Sequence, residues 1–230
     1  MKRIVQPELL DGLPPDDPGA RRSRRDLQRI NSVMRHHACL TGALRQAVSG
    51  RPPERITELG AGDGHFLLRV AQSLAPRWSN VKVALLDQQR TISETTLAGF
   101  AALGWPPQAI VADALVWAED PRNVADVVVT NLFLHHLRQT QLTRLFAAIA
   151  RRARVFVAVE PRRGRGPLFC SRRLWMLGCN SVTRYDATVS VRAGFAGREL
   201  SSLWPLSRDW ELAESRAGLF SHLFVARSKK

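Results

Sequence analysis

A short glycine-rich stretch beside a glutamate is the part of this sequence best suited to binding a ligand. Glu58 precedes a Gly-x-Gly-x-Gly pattern that consists of Gly60, Ala61, Gly62, Asp63 and Gly64. Glycines allow a tight turn and let a ligand approach the backbone closely. The spacing differs from the Gly-x-Gly-x-x-Gly of pyrophosphate sites, and the Glu58 carboxylate would repel a phosphate. The pattern therefore favours a ligand with positive groups, such as an ammonium and a sulfonium, over an ordinary strand-to-helix turn.

Two more acids close the next two predicted strands. Asp87 is followed by Gln88, and Asp113 is followed by Ala114. The Asp87 carboxylate can accept hydrogen bonds from ribose hydroxyls, and the Asp113-Ala114 pair is placed to contact an adenine ring. Ligands of open α/β sheets bind at the carboxyl edge of the strands. One acid alone would be interpreted as a surface residue, whereas the ordered set predicts a nucleoside site.

His135 and His136 follow the fourth predicted strand and are able to exchange protons. Histidine titrates near neutral pH, so an imidazole beside a bound phenol is suited to removing its proton. Glu160 ends the fifth predicted strand, reaches the same edge, and could orient a histidine or bind a substrate. The alternative is structural, since the histidines could cap or pack the following helix and Glu160 could cap a loop.

Strands and helices alternate through the region that carries these residues. Apolar and β-branched runs predict strands at residues 55–59, 81–87, 109–112, 125–131 and 155–160. Helical patterns fall between them, at residues 65–74, 91–103 and 140–150. Consecutive β-α-β units imply an α/β fold with a parallel sheet covered by helices on both faces.

The two ends of the chain differ from this central pattern. Prolines, glycines and a run of arginines predict a flexible basic lead over residues 1–25. A helical period from Asp26 to about Ser49 predicts a helical lid segment over residues 26–50, and residues 51–230 form the main domain. Towards the other end we expect a helix over residues 195–203 and a hairpin made by residues 210–215 and 219–226.

The composition excludes several classes of protein. No apolar run reaches the roughly 20 residues that cross a bilayer, and the first residues do not form a secretory signal. Cys39, Cys170 and Cys179 are irregularly spaced, which speaks against a disulfide framework or a metal site and favours the cytoplasm. The net charge of +14 indicates either an anionic partner or the arginine-rich codon usage of a GC-rich genome.

Together these features resemble the class I methyltransferases that depend on S-adenosyl-L-methionine (SAM), from the first predicted strand onwards. Residues 58–64 are similar to the first motif of that family, Asp87 to its ribose-binding acid and Asp113 to its adenine-contacting acid. Thr130 and Asn131 are similar to the end of its fourth strand, beside the methyl group. The resemblance implies SAM as cofactor and a Rossmann-like, mostly parallel sheet of seven strands whose last strand is antiparallel.

A narrower resemblance concerns the acceptor. Residues 185–205 are similar to bacterial methyltransferases that accompany type III polyketide synthases and methylate phenolic products. This similarity implies O-methylation of a small phenolic or polyketide hydroxyl by direct displacement, with histidine-assisted removal of the proton. An aromatic or lipid-like acceptor would lie under an apolar lid that the amino-terminal helix forms with Phe169, Leu174, Trp175, Met176 and Leu177. Core packing is the alternative role of these five side chains.

Two other functions stay open at this point, as does the oligomeric state. The positive charge, with arginines at residues 21–25 and 151–154, fits an RNA methyltransferase. The Asn/Asp-Pro-Pro-Tyr/Phe motif of base-amine methylases is missing, because Thr130-Asn131-Leu132-Phe133 stands in its place. The glycine motif would also suit a regulator that binds SAM without turnover.

Overall fold

The computed structural model describes residues 1–14, 16–48, 50–205 and 208–229. Within them, one sheet contains the strands β1 (Arg55–Leu59), β2 (Lys82–Asp87), β3 (Pro107–Val111), β4 (Val127–Asn131), β5 (Val155–Pro161), β6 (Trp210–Ala217) and β7 (Ser221–Ser228). Their order across the sheet is β3-β2-β1-β4-β5-β7-β6. β1 to β5 are parallel, and β7 runs antiparallel to both of its neighbours. The predicted α/β class and the seven-stranded sheet with a reversed last strand are confirmed.

The direction in which strands are added to the sheet reverses between β1 and β4. From β1 the chain moves outward to β2 and β3, and it then returns to the other side of β1 to add β4 and β5. In open α/β sheets, ligands bind in the crevice that such a reversal leaves at the carboxyl ends of the strands. Every residue of β4 and β5 is buried, as expected for central parallel strands rich in valine.

Helices cover both faces of the sheet. In the described residues these are α1 (Leu9–Gly12), α2 (Pro18–Val33), α3 (His36–Ala47), α4 (His65–Leu74), α5 (Glu94–Ala102), α6 (Ala114–Glu119), α7 (Gln139–Ile149), α8 (Arg165–Ser171), α9 (Ser181–Ala193) and α10 (Glu199–Leu203). Short 3-10 helices at Leu134–His136 and Leu174–Leu177 follow β4 and α8. Among the described residues, no helix combines the length and the apolar character needed to span a membrane.

Two apolar clusters attach these helices to the sheet. One cluster joins α3, α4 and α5 to one face through Leu40, Leu67 and Phe100, which are fully buried. The other joins α6, α7 and α10 to the opposite face around a group of touching aromatic rings, namely Phe146, Phe156, Trp204 and Phe224. Burying apolar surface on both faces stabilises the layered arrangement and fixes the edge where the strands end.

The predicted flexible lead is wrong for residues 18–25, which belong to α2. Asp17 caps the helix by accepting a hydrogen bond from the amide of Ala20 at 2.9 Å, and Pro18 occupies the first turn. Ala20 and Ser23 are buried, whereas the arginines between them face outward. The charge run that suggested disorder is therefore the exposed face of a helix.

The single helix predicted from Asp26 to about Ser49 is also wrong, because two helices occupy this stretch. Arg35 adopts the left-handed conformation, with φ at 54°, and separates α2 from α3. α3 ends at Ala47. Pro15, one of the prolines of the predicted flexible lead, and Ser49, the predicted helix end, both lie outside the described residues.

The segment between β5 and β6 contains more helix than the sequence predicted. The helix expected over residues 195–203 is present only as α10, and α8 and α9 precede it. The buried face of α9 includes polar side chains, Thr183 and Asp186, so this helix lacks the apolar period that would reveal it. The predicted hairpin is present as β6 and β7, with its turn at residues 218–220.

Candidate active site

The glycine loop connects β1 to α4 in a conformation that needs glycine. Gly60, Gly62 and Gly64 have φ values of 70°, 56° and 73°, which residues with a Cβ rarely adopt. A Cβ on Gly60 would lie only 2.4 Å from Cδ2 of Phe133. The amide of Ala61 donates to the carbonyl of Leu86 at 2.9 Å, which ties the loop to the end of β2. The loop is therefore a fixed turn between two strand ends.

Asp87 at the end of β2 also holds this loop. One of its carboxylate oxygens accepts a hydrogen bond from the amide of Gly62 at 2.8 Å, and the other accepts one from the amide of Gln89 at 2.9 Å. A carboxylate oxygen has more than one lone pair, so each can accept a further hydrogen bond. Asp87 lines the cavity described below and can bind ligand hydroxyls while it orders the loop.

Glu58 is a buried carboxyl group that is incompletely paired. The residue is 1% exposed, and its Oε2 atom has no hydrogen-bond partner among the described residues. Burial raises the pKa of Glu58 well above its usual value, and the nearby carboxylates of Asp63 and Asp87 raise it further. A buried polar atom without a partner is costly unless a ligand satisfies it. The geometry therefore favours a cationic ligand group beside Glu58.

Two further acids lie at the same edge and are bonded to neighbouring residues. Asp63 accepts hydrogen bonds from the Gln28 side chain at 2.5 Å and from the amide of His65 at 3.0 Å. Asp113 caps α6 by accepting the amides of Leu115 and Val116, and its other oxygen accepts from Gln88 at 2.8 Å. Asp113 thus positions the start of α6 and the Gln88 amide at the edge of the site.

A cavity of about 800 Å³ opens at this edge of the sheet and brings most of the predicted residues together. Its wall includes the predicted ligand-binding residues Glu58, Gly60, Ala61, Gly62, Asp63, Asp87, Gln88, Asp113, Ala114 and Asn131. His135 and His136 line it as well. Three predicted residues do not: Thr130 is fully buried in β4, Gly64 is buried where α4 begins, and Glu160 lies behind His135. The volume lies in the range of small-molecule and cofactor sites.

Asn131 is linked to a histidine that the sequence did not single out. His36, at the start of α3, places its Nδ1 atom 3.0 Å from Oδ1 of Asn131 and its Nε2 atom 2.6 Å from Oγ of Ser221. Burial lowers the pKa of His36 from 6.5 to about 4 and outweighs the opposite effect of the Asn131 hydrogen bond. Neutral His36 therefore joins α3, β4 and β7 directly beneath the cavity wall.

His135 lies between two buried carboxylates. Its Nδ1 atom is 2.9 Å from Oε2 of Glu160, and its Nε2 atom is 3.2 Å from Oε1 of Glu8. Burial alone would lower the pKa of His135, but the hydrogen bonds and charges of Glu160 and Glu8 outweigh it and raise the pKa to about 9. Glu160 also accepts hydrogen bonds from the amides of Phe133 and Leu134, at 3.0 and 2.8 Å. Glu160 therefore fixes both the histidine ring and the loop after β4.

His136 is the more accessible of the two histidines. Its side chain is 25% exposed, and its ring centre lies 4.2 Å from that of His135. The Nδ1 atom is 3.2 Å from Oδ2 of Asp11, and the Nε2 atom is 4.0 Å from Oε2 of Glu8. Both Nε2 atoms therefore point towards Glu8 on the wall of the cavity.

Glu8 and Asp11 come from the lead that sequence reasoning described as flexible. Asp186 in α9 accepts the amides of Leu9 and Leu10, at 2.7 and 3.1 Å, which fixes α1. Ser190 of the same helix donates to Oε1 of Glu8. Glu8 is separated from His135 by 127 residues, so local patterns in the sequence give no signal for this contact.

Arg3 anchors the same segment. Its guanidinium group donates to the carbonyl oxygens of His135 and Leu137, at 3.1 and 2.8 Å, and to that of Ala193 at 2.7 Å. These bonds join the amino-terminal residues to the loop after β4 and to the end of α9. The segment is therefore a structural part of the cavity wall.

Helix α2 contacts the rim of the glycine loop. Gln28 donates to Asp63 at 2.5 Å, and Arg24 donates to the side chain of Gln89 at 3.1 Å. Gln28, Arg24 and Leu27 line the cavity. The part of α2 that crosses the rim begins before Asp26, the predicted first residue of the lid.

The predicted apolar lid is wrong in its second part. Trp175, Met176 and Leu177 are 60%, 66% and 68% exposed, and Phe169 is 57% exposed. None of these four residues, nor the half-buried Leu174, lines the cavity. The short helices after β5 place these side chains away from the cavity. The four exposed residues therefore form neither the predicted lid nor part of the core.

No protein-family model matches the chain, and no curated protein sequence matches it either. Solved structures do share its fold. The chain superposes on the plantazolicin methyltransferase BamL, in complex with a triazolic desmethylPZN analog and SAH, with a TM-score of 0.65 and 11% identity. That match covers 96% of this chain and 93% of BamL.

Two longer proteins match as well. The pyocyanin biosynthetic protein PhzM gives a TM-score of 0.60 at 16% identity, over 93% of this chain. A protein assigned as an O-methyltransferase from Nostoc punctiforme PCC 73102 gives a TM-score of 0.57 at 15% identity, over 84% of this chain. The chain spans 59% and 56% of the lengths of these two proteins. Similarity at this level defines the fold, which is the Rossmann-like fold of class I methyltransferases.

Proposed function

We propose that this chain is a SAM-dependent methyltransferase that acts on a hydroxyl group of a small molecule. The observation that carries the proposal is the buried Oε2 atom of Glu58, which lacks a partner at the wall of the cavity. A cationic ligand group would satisfy this atom, whereas a phosphate would be repelled by it and by Asp63 and Asp87. SAM carries both an ammonium and a sulfonium group.

The cavity also offers residues that would bind the other parts of SAM. The amino acid portion would lie against Glu58 and the glycine loop, where backbone groups are accessible. Asp87 would accept hydrogen bonds from the ribose hydroxyls. Gln88, Asp113 and Ala114 would bind the adenine ring. When bound, SAM supplies an electrophilic methyl group, and these residues only bind and orient it.

The acceptor would approach the wall formed by Glu8, His135 and His136. The two ring nitrogens of His135 are both engaged by carboxylates, and Glu160 positions this ring. His136 is less constrained, so histidine-assisted proton removal, as predicted from the sequence, is assigned to His136. BamL is a plantazolicin methyltransferase, PhzM a pyocyanin biosynthetic protein, and the Nostoc punctiforme protein is assigned as an O-methyltransferase, which supports O-methylation of a small acceptor such as a phenol or polyketide. Residues 26–50, with the first turns of α2, would serve as the lid.

The first experiment is calorimetric titration of the full chain with SAM. Burial raises the pKa of Glu58, and a cationic ligand favours its ionised form, so SAM binding should lower this pKa and release protons wherever Glu58 is partly protonated in the free protein. Titrations in two buffers of different ionisation enthalpy measure this release. Glu58→Gln should abolish the release and weaken SAM binding by about 1.5–3 kcal/mol, which corresponds to roughly 10- to 150-fold.

A matched control and a competing ligand complete the test. Glu119→Gln changes an exposed glutamate outside the cavity and should leave SAM binding unchanged. A chain that ignores SAM but binds NAD+ would contradict the proposal. Transfer of a labelled methyl group to members of a panel of phenols would then distinguish an enzyme from a regulator that binds SAM without turnover.

A further inference from the structure

We propose that Glu8, His135 and His136 form a binding site for one divalent transition-metal ion, with Zn²⁺ as the fitting example. The three residues each present one ligand atom, and these atoms all lie within 4.8 Å of one another. Two imidazoles and one carboxylate are a donor set that zinc enzymes use while keeping a fourth position open. The inference rests on the proposed function, because it assigns a role to the acceptor side of the same cavity.

The distances suit a single ion. Ligand atoms held at about 2.1 Å from a tetrahedral ion lie roughly 3.4 Å apart. The Nε2 atom of His135 is 3.2 Å from Oε1 of Glu8, and the Nε2 atom of His136 is 4.0 Å from Oε2. The two rings face different oxygens of the Glu8 carboxylate, and the partly exposed His136 is the ligand that would have to move closer.

The surrounding carboxylates orient both histidines in the way that metal sites require. Metal-binding histidines usually donate their second ring N–H to a carboxylate, which fixes the tautomer and the ring direction. Here His135 faces Glu160 through Nδ1 at 2.9 Å, and His136 faces Asp11 through Nδ1 at 3.2 Å. Each ring is thereby left with its Nε2 atom directed at Glu8.

The carboxylates around the two histidines also favour binding of a cation. Glu8, Asp11 and Glu160 bring three carboxylates together around two histidines. The Arg3 guanidinium lies near this group but donates its hydrogen bonds to backbone carbonyls of residues 134, 135 and 137. A divalent ion bound to the Nε2 atom of His135 would displace the proton there and offset the carboxylate charge that Arg3 leaves uncompensated.

The open position of such an ion would face the acceptor, because all three ligands line the cavity. An acceptor hydroxyl bound there would have its pKa lowered by the ion. Its O–H bond breaks, the electron pair stays on the oxygen bound to the ion, and the proton leaves to water. The ion therefore replaces a free histidine base and generates the nucleophilic oxygen.

Metal binding is tested on the tag-free full chain after dialysis against a chelator. Titration with ZnCl2 by calorimetry should give one equivalent per chain, and CoCl2 should give visible absorption bands typical of a tetrahedral site. His136→Ala should abolish both signals. Asp11→Asn should weaken Zn²⁺ binding on the order of 10- to 100-fold, since it removes only the orienting carboxylate.

His37→Ala is the matched control. His37 also lines the cavity but lies outside the cluster, so its loss should leave Zn²⁺ affinity unchanged. Circular dichroism of each variant checks that the fold is kept. Equal Zn²⁺ affinity in the wild type and in His136→Ala, or no binding in the wild type, would overturn the inference.

Parallel titration with SAM separates this inference from the proposed function. SAM binding without any Zn²⁺ binding would overturn the metal site and leave the methyltransferase proposal with a histidine base. Zn²⁺ binding without SAM binding would support the metal site and overturn the donor assignment. If both bind, chelator should suppress methyl transfer and added Zn²⁺ should restore it, whereas activity that survives chelation would overturn the role of the ion in acceptor activation.

Discussion

Asp87 combines two tasks in one side chain. It orders the glycine loop through the amide of Gly62, and it lines the cavity where a nucleoside would lie. A replacement of Asp87 must therefore preserve two sets of hydrogen bonds, the one to the glycine loop and those to the ligand. Glu58 differs, because it lines the cavity and its Oε2 atom has no hydrogen-bond partner among the described residues.

Asp87→Asn is therefore expected to weaken SAM binding without unfolding the protein. The amide nitrogen of asparagine cannot accept a hydrogen bond, so either Gly62 or Gln89 loses its acceptor and one ribose bond is lost. We expect a loss of about 1–3 kcal/mol in binding free energy. Calorimetry measures it, with the exposed cap variant Asp113→Asn as a comparison that should lose less. Unchanged affinity in Asp87→Asn would show that this carboxylate does not hold the donor.

Sequence reasoning located residues whose neighbours are close in the chain. Glu58, the glycines and Asp87 were found because strand ends and turns leave a local pattern. Glu8, Asp11 and His36 were missed, because their partners lie far away in the sequence and only tertiary packing brings them together. Of the two residues predicted at the end of β4, alternation along the strand directs Asn131 to the cavity and Thr130 into the core.

At the scale of elements, the β1–α4 loop is the least replaceable segment. Gly60 has both a positive φ and a contact with Phe133, whereas Gly62 has a positive φ with open space around it. Gly60→Ala should destabilise the fold by about 1–3 kcal/mol through overpacking, in addition to its backbone strain. Urea unfolding of the variant measures the loss.

Two other glycines serve as internal standards for that measurement. Gly62→Ala should show the backbone strain alone and a smaller loss. Gly42→Ala lies inside α3 with nothing near its added Cβ, and it should be neutral or stabilising by about 0.5–1 kcal/mol. Equal stability of Gly60→Ala and Gly62→Ala would contradict the importance of the Phe133 contact.

Elements with a clear period were predicted well, and those without one were not. The predicted span of α4 agrees with the structure, and β1 and β5 agree to within a residue, because apolar residues recur at helical or strand spacing. The first half of α2 and the whole of α9 were missed, because arginines dominate the one and buried polar side chains replace apolar ones in the other. In both helices, hydrogen bonds such as those of Asp186 to α1 replace apolar burial.

At the scale of the whole molecule, charge is distributed unevenly. The chain carries a net charge of +14, yet six acids line the cavity at the carboxyl edge of the sheet, namely Glu8, Asp11, Glu58, Asp63, Asp87 and Asp113. Several arginines form ion pairs with surface acids, such as Arg144 with Glu119 and Arg154 with Asp126. The site itself thus attracts cations, although the protein as a whole is basic.

His36 makes the stability of the whole fold depend on pH. Burial lowers its pKa from 6.5 to about 4, so the unfolded chain binds more protons than the folded one between these values. Its contribution is complete above pH 6.5 and is lost as the pH falls towards 4. The shift corresponds to about 3 kcal/mol.

Urea unfolding of the wild type and of His36→Gln at pH 7, 6 and 5 tests this expectation. The variant should be less stable at pH 7 but should lose less stability on acidification than the wild type. The difference between the two curves isolates His36 from other titrating groups. Parallel curves for the two proteins would mean that His36 does not carry the pH dependence.

The anchoring of Arg3 has a consequence for the order in which the molecule is assembled. Arg3 bonds to the carbonyl of Ala193, a partner 190 positions along the chain, and Met1 accepts a bond from Arg163. During synthesis Arg3 and Glu8 leave the ribosome long before α9 exists, and contacts of such sequence separation close late. The glycine loop can form early, whereas the Glu8 side of the cavity is completed only after α9 has been made.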